Sequence, residues 1–130
     1  MTGARAKGQV TGARGQEPGA GGTNAAGRRE QVRAWLAART PPAPALLAER
    51  LEGFVRTAPA ERLGGTTTGA LGALGLLALQ VSLARGETGD EVALDLLAAD
   101  AFVTYAFEAA AEEGADVGRL AAELLSRTVA

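Results

Sequence analysis

Cysteine and histidine are both absent from the 130-residue sequence, and Lys7 is its only lysine. Without cysteine and histidine there is no disulfide, no thiolate or imidazole ligand for a metal, and no histidine to act as a general base near neutral pH. Catalysis would have to rest on carboxylates, arginine, hydroxyl groups or the single tyrosine. No spacing typical of an active site joins these groups. We therefore expect a protein that is not an enzyme and that uses no cofactor or metal.

Aromatic residues are scarce, at 4%, whereas the counts of alanine (30), glycine (18), leucine (17) and arginine (12) are high. This composition is typical of the amino-acid drift of a GC-rich genome. The net charge is only −2, but residues 1–40 carry seven basic and two acidic side chains, and residues 86–130 carry two basic and ten acidic ones. A basic N-terminal segment can contact nucleic acid. Its basic residues are scattered rather than clustered, which favours a tail followed by helices with acidic, solvated faces.

Residues 1–27 contain eight glycines, and Val10 is their only branched apolar residue. No apolar face can offset the entropy lost on ordering such a segment, so we predict a disordered tail. A secretory signal peptide needs an apolar stretch of about 7–15 residues, which this segment lacks. We therefore expect a cytoplasmic protein.

From Arg28 onward, apolar residues recur at the spacing of amphipathic helices, and strand-like alternation is absent. The pattern predicts an all-α bundle of four to five helices over residues 28–130. The predicted helices are Arg28–Arg39, Ala43–Thr57, Gly69–Ala84, about Asp90 to Glu113, and a last helix opened by Asp116. Prolines, glycines and threonines separate them. The fourth helix is apolar nearly all round, so we place it at the centre, between the third and the last.

The stretch from Leu63 to Ala84 carries no charged residue. Its continuous apolar part, Gly69–Ala84, would extend about 24 Å as a helix, less than the roughly 30 Å of a bilayer core. Gln80 and Ser82 lie within it, and no tryptophan or tyrosine flanks it. A buried helix of a soluble bundle is the favoured interpretation, and a membrane-associated protein with one short hydrophobic helix at 63–84 is the alternative.

Gly69, Gly72 and Gly75 recur every third residue in the third helix. Each disfavours the helix by up to about 1 kcal/mol relative to alanine, which close approach of a neighbouring backbone would explain. We predict close packing or an interface at these glycines, and we expect Gly72→Leu to destabilise the fold. Helix dimerisation in a membrane and the compositional drift of a GC-rich genome are the two alternative explanations of the glycine spacing. Gly64 and Gly69 match part of a phosphate-binding loop, but the lysine and hydroxyl residue that must follow are missing.

In the fourth helix, four polar residues recur every fourth position: Asp100, Thr104, Glu108 and Glu112. Asp95 points about 140° away from Asp100 at 100° per residue. A carboxylate site formed by the two aspartates is one hypothesis; the other is that Asp95 is exposed or pairs with an arginine. Tyr105 is a core residue by default and a candidate interface residue if it is exposed.

The run LDLLAADAFVTYAFEAAAE (94–112), with RAWLAARTP (33–41) and LAAELLSR (120–127), resembles small helical proteins of high-GC bacteria to which no activity has been assigned. The resemblance extends from Arg28 onward, is most specific between Ala93 and Glu112, and implies no site residues. The leading hypothesis for function is therefore contact with another protein or self-association as a homo-oligomer. Membrane association through residues 63–84 and weak nucleic-acid contact through the basic N-terminal segment are the alternatives.

Overall fold

The computed structural model describes residues 18–86 and 89–129, and these two ranges contain five α-helices. In chain order the helices are α1 (Pro18–Ala37), α2 (Ala45–Thr57), α3 (Thr67–Arg85), α4 (Asp90–Glu112) and α5 (Val117–Val129), with a short 3-10 helix at Ala60–Leu63 before α3. The same ranges contain no β-strand. The predicted all-α bundle is confirmed.

The ends of α3 and α5 follow the local signals in the sequence. Thr66 is the N-cap of α3, and its hydroxyl accepts a hydrogen bond from the backbone N–H of Gly69 at 3.0 Å. Gly86 ends the same helix with φ at 63°, a left-handed conformation that glycine adopts without strain. The Asp116 carboxylate accepts from the N–H of Arg119 at 3.0 Å and so caps α5.

Helix α1 begins at Pro18, ten residues before the predicted start at Arg28. Residues 18–27 are therefore helical, whereas residues 1–17 of the predicted tail lie outside the described residues. Proline is favoured at the first position of a helix, because its missing N–H is not needed there. The helix is held farther along, where Arg29 donates to the carbonyl oxygens of Val55 (3.2 Å) and Ala58 (2.6 Å) at the end of α2.

Helices α3 and α4 form the centre of the bundle. They run antiparallel, because Gly75 of α3 meets Ala99 and Val103 of α4, while Arg85, farther along α3, reaches back to Asp95. Helix α2 also packs on α4, and the rings of Phe54 and Phe102 meet edge to face at 6.4 Å. The predicted central position of α4 is correct, although α2 contacts it as well as α3 and α5.

The apolar residues of helix α5 are only partly covered by the bundle. Leu124 is buried and Leu120 is half-buried. Val117 and Leu125, however, keep 39% and 64% of their surfaces exposed. Within residues 18–86 and 89–129 the helix contacts only α3 and α4, so these described residues leave a substantial part of its apolar surface uncovered.

Candidate interaction surfaces

Gly75 marks the closest approach of α3 and α4. A Cβ atom at this position would lie 2.8 Å from Cγ2 of Val103, 3.3 Å from its backbone nitrogen and 3.4 Å from the carbonyl oxygen of Ala99. Carbon atoms in ordinary contact are about 3.5–4.0 Å apart. The absence of a side chain at Gly75 therefore lets the two backbones pack directly against each other.

The other two glycines have different surroundings. A Cβ on Gly72 would meet only Cδ2 of Leu124, at 3.1 Å. A Cβ on the exposed Gly69 would meet Thr66 Oγ1 at 3.4 Å and the Gly64 carbonyl oxygen at 3.9 Å, both close in sequence to Gly69 itself. Gly72 and Gly75 thus pack within the bundle, whereas Gly69 does not face another helix, and none of the three forms a free apolar surface.

Tyr105 is half-buried and packs edge-on against Trp35 of α1, with 5.5 Å between ring centroids. Trp35 also donates from Nε1 to Glu112 at 3.1 Å, and the guanidinium of Arg39 lies 3.5 Å from the centroid of the tryptophan ring. Arg39 pairs with Glu112 at 2.8 Å and with Glu108 at 3.6 Å. This cluster joins the end of α1 to the end of α4, so Tyr105 serves an internal contact in the structure.

The cluster of Trp35, Arg39 and Tyr105 shifts the pKa of Glu112. Hydrogen bonds from Arg39 and, second, from Trp35 lower the pKa of Glu112 below its ordinary value. Asp100 and Thr104, which belong to the same polar stripe, are exposed. Half of the stripe therefore pairs with α1, and the other half faces solvent.

Asp95 is completely buried, and it forms ion pairs with two arginines. Nη1 of Arg50 lies 2.6 Å from Oδ1 of Asp95, and Nε of Arg85 lies 3.2 Å from Oδ2. Asp100 is exposed on another side of α4, so the two aspartates do not form a common carboxylate site. No group of three potential metal-ligating side chains occurs among the described residues. Asp95 therefore follows the prediction of pairing with an arginine.

Arg50 connects Asp95 to a second acid. Its Nη2 lies 2.6 Å from Oε1 of Glu91, and this hydrogen bond lowers the pKa of Glu91. The same hydrogen bond and the charge of Asp95 raise the pKa of Arg50, against the opposing effect of its desolvation. The result is a fixed guanidinium between the first turns of α4 and the middle of α2.

The four arginines between residues 28 and 39 that the prediction of nucleic-acid contact relied on have partners within the bundle. Arg28 donates to the carbonyl oxygen of Gly65, and Arg29 caps α2. Arg33 pairs with Glu52 at 2.9 Å, and Arg39 pairs with Glu112. The remaining basic residues of the segment, Arg5, Lys7 and Arg14, lie outside the described residues.

Large apolar side chains remain exposed on both α3 and α4. Leu83 is 70% exposed and lies eleven residues after Gly72, so at 100° per residue the two share one face of α3 to within about 20°. Leu96 is 45% exposed and shares a face of α4 with Val103 by the same reckoning. Helix α5 covers this face of α3 at Gly72, through Leu124, and ends five residues later. We call the uncovered part, Leu83 and Leu96 together with the exposed Leu125 of α5, the apolar face.

A separate groove lies between α2 and α4. It encloses about 440 Å³ and is lined by Leu46 and Leu97, which are 67% and 54% exposed, with Glu49 and Asp90 at its rim. It is distinct from the apolar face, because Leu97 points roughly 100° away from Leu96 around α4.

Helix α3 is the one helix among the described residues that is long and apolar enough to cross a membrane, and 56% of its most apolar window is buried within the bundle. A buried helix of a soluble protein has the same length and composition.

Comparison with known proteins found no match to the chain among family models, curated proteins or solved structures.

Proposed function

We propose that this protein is a soluble, cytoplasmic, non-enzymatic helical protein that acts through self-association, with the apolar face as its contact surface. The observation that carries the proposal is the exposure of three leucines, Leu83 of α3, Leu96 of α4 and Leu125 of α5, which are 70%, 45% and 64% exposed. Burying a leucine side chain fully is worth about 1.5–3 kcal/mol. Several exposed leucines on one side are typical of a protein contact surface.

A second copy of this chain is the partner that this face suits best. In a twofold dimer the same patch of each copy meets its equivalent, so three leucines from each protomer would be buried together. Helix α3 carries no charged residue before Arg85, so two such helices can meet without like-charge repulsion. A stable contact of this kind typically buries about 800 Å² on each partner.

The test is the molar mass of the full chain, measured by size-exclusion chromatography with light scattering over a range of concentrations without detergent. We expect a dimer for the unchanged protein and a monomer for Leu83→Glu. The matched control is Leu46→Glu, which places the same charge on an equally exposed leucine in the other groove and should remain dimeric. A monomer at every concentration, or dissociation by Leu46→Glu alone, would contradict the proposal.

Membrane association is the second candidate, and the composition of α3 favours it. The same chromatography separates the two functions. Full-length protein that sediments, or that elutes in the void volume unless detergent is present, would support a membrane-inserted α3. In that case Leu83→Glu would reduce membrane recovery rather than change the mass of a soluble species.

A further inference from the structure

A cleft of about 270 Å³ opens on the side of the bundle away from the apolar face, where α2, α3 and α4 meet. Three arginines line it, Arg50 and Arg56 from α2 and Arg85 from α3. Asp95 of α4 lies at its inner end. Because a water molecule occupies about 30 Å³ in the liquid, the cleft has room for a tetrahedral oxyanion and part of the molecule that carries it.

Asp95 has one oxygen that the fold leaves without a hydrogen bond. Oδ1 accepts from Arg50 at 2.6 Å, but Oδ2 is buried and accepts no hydrogen bond from any described residue. Nε of Arg85 lies 3.2 Å from Oδ2 and compensates its charge without directing an N–H at it. Buried polar atoms almost always have a hydrogen-bond partner, so Oδ2 is suited to accept from a donor that enters the cleft.

The arginines provide the complementary groups. Arg85 is 37% exposed at its side chain, and Arg56 is exposed. Among the described residues, Arg85 forms its one ion pair through Nε, and Arg56 forms none. Planar guanidinium groups bind carboxylate and phosphate oxygens in a bidentate manner, and Arg56 and Arg85 present two such groups to the cleft in addition to Arg50.

We propose that the cleft binds a protonated oxyanion, of which the phosphoryl group is the best-fitting class. Arg85 and Arg56 bind its oxygens, and Oδ2 of Asp95 accepts the hydrogen of its P–OH group. Arg50, held between Asp95 and Glu91, positions the carboxylate. The buried acid thus selects for an anion that retains a proton, because an anion without one would bring two acceptor oxygens together.

Phosphate and sulfate distinguish this site from a general attraction of anions to arginine. At neutral pH phosphate carries a proton and sulfate carries none. In titration calorimetry of the full chain we expect saturable phosphate binding. Sulfate should bind at least about tenfold more weakly, the effect of losing one charge-assisted hydrogen bond. Glycerol 3-phosphate as a third probe separates the two sources of the group; it is compared with inorganic phosphate at about pH 5.5, where the phosphoryl group of the ester keeps a proton, and tighter binding than inorganic phosphate there indicates an organic phosphate ester.

The variants test each half of the site. Arg56→Gln and Arg85→Gln should abolish phosphate binding, whereas Arg127→Gln, which removes the same charge from the exposed side of α5, should not. Asp95→Asn should reduce the preference for phosphate over sulfate, because its amide can donate to either anion. If Asp95→Asn does not fold, the arginine variants and the phosphate-to-sulfate ratio of the unchanged chain still decide the matter.

Three results would overturn the proposal. They are no saturable phosphate binding at constant ionic strength, equal affinity for sulfate and phosphate, and unaltered phosphate binding by Arg56→Gln and Arg85→Gln. None of them depends on the state of association, because the cleft and the apolar face lie on different sides of α3 and α4.

Discussion

Replacing Gly75 with alanine is expected to destabilise the fold, although alanine favours helices more than glycine does. The added methyl group would lie 2.8 Å from Cγ2 of Val103 and 3.3–3.4 Å from two backbone atoms of α4. Val103 is β-branched and has little rotamer freedom within a helix, so it cannot simply turn away. The backbone atoms can be relieved only by moving α3 and α4 apart.

The expected magnitude follows from two opposing terms. Alanine gains about 1 kcal/mol of helix propensity over glycine. Overpacking of a well-packed core costs about 1–3 kcal/mol, and the contact with backbone places Gly75 in the upper part of that range. We therefore expect the free energy of unfolding to fall by about 1–2 kcal/mol in Gly75→Ala.

The neighbouring glycines provide matched controls within the same helix. Gly72→Ala meets only the flexible end of Leu124, which can shift by a few tenths of an ångström, so its effect should lie close to zero. Gly69→Ala meets nothing from another helix and should leave stability unchanged or raise it by up to about 1 kcal/mol. Gly72→Leu, in contrast, adds a branched side chain against Leu124 and should destabilise the protein.

Urea unfolding of the three alanine variants measures this order. A change in midpoint at constant slope reports stability, and the expected order is Gly69→Ala, then Gly72→Ala, then Gly75→Ala as the least stable. The double variant Gly75→Ala with Val103→Ala removes the clash with Cγ2 of Val103. Its loss of stability should therefore be smaller than the sum of the two single losses. Part of the loss from Gly75→Ala should persist, because the contacts with the α4 backbone remain. If Gly75→Ala were as stable as the unchanged chain, the argument from close helix approach would be refuted.

Two further predictions concern the charged groups. Hydrogen bonds from arginine lower the pKa values of Glu52, Glu91 and Glu112 in the folded protein. Each ionised carboxylate therefore stabilises the folded state at a pH above 4.5, the ordinary pKa of glutamate. This stabilisation is lost as the pH falls through the lowered pKa of the folded state. The urea midpoint should therefore vary little between pH 6 and 8, because the chain has no histidine to titrate there. At pH values under about 4.5 the midpoint should decrease, and the decrease should be less steep in Glu52→Gln. A midpoint that does not decrease in acid would contradict this prediction. Asp95→Leu leaves two arginines beside an apolar group and should lower the free energy of unfolding by about 3 kcal/mol, the low end for breaking a buried pair because both arginines reach solvent. Asp100→Leu, on the exposed side of α4, should change it by less than about 0.5 kcal/mol, and equal effects of the two would show that the buried pair is dispensable.

The helix boundaries could be predicted where they depend on adjacent residues. A threonine cap and a glycine in the left-handed region act within one turn, so Thr66 and Gly86 indicate their roles in the sequence itself. The start of α1 is different. Its glycine-rich first half has no apolar face that indicates a helix, and the helix is held by Arg29, whose acceptors lie 26 and 29 residues away.

The same limit explains why the role of Asp95 remained open at the level of sequence. Its partners are Arg50, 45 residues earlier, and Arg85, ten residues earlier across a helix boundary. No local pattern joins these three positions, because the pairing exists only when α2 and α3 pack on α4. A charged residue among leucines and alanines indicates that something must compensate it, and the identity of that group is a tertiary property.

The three glycines show how a sequence pattern overestimates a surface. A spacing of three residues turns the helix by 300°, so Gly72 and Gly75 point about 60° apart, while Gly69 and Gly75 point about 120° apart. A single neighbouring helix cannot contact all three. In the structure α4 packs against Gly75, α5 packs against Gly72, and Gly69 lies at the capped N-terminal end of α3. By the same geometry, Leu83 lies on the face of α3 that also carries Gly72, beyond the end of α5. The face that Leu124 covers at Gly72 is therefore uncovered at Leu83, the exposed leucine on which the proposed self-association depends.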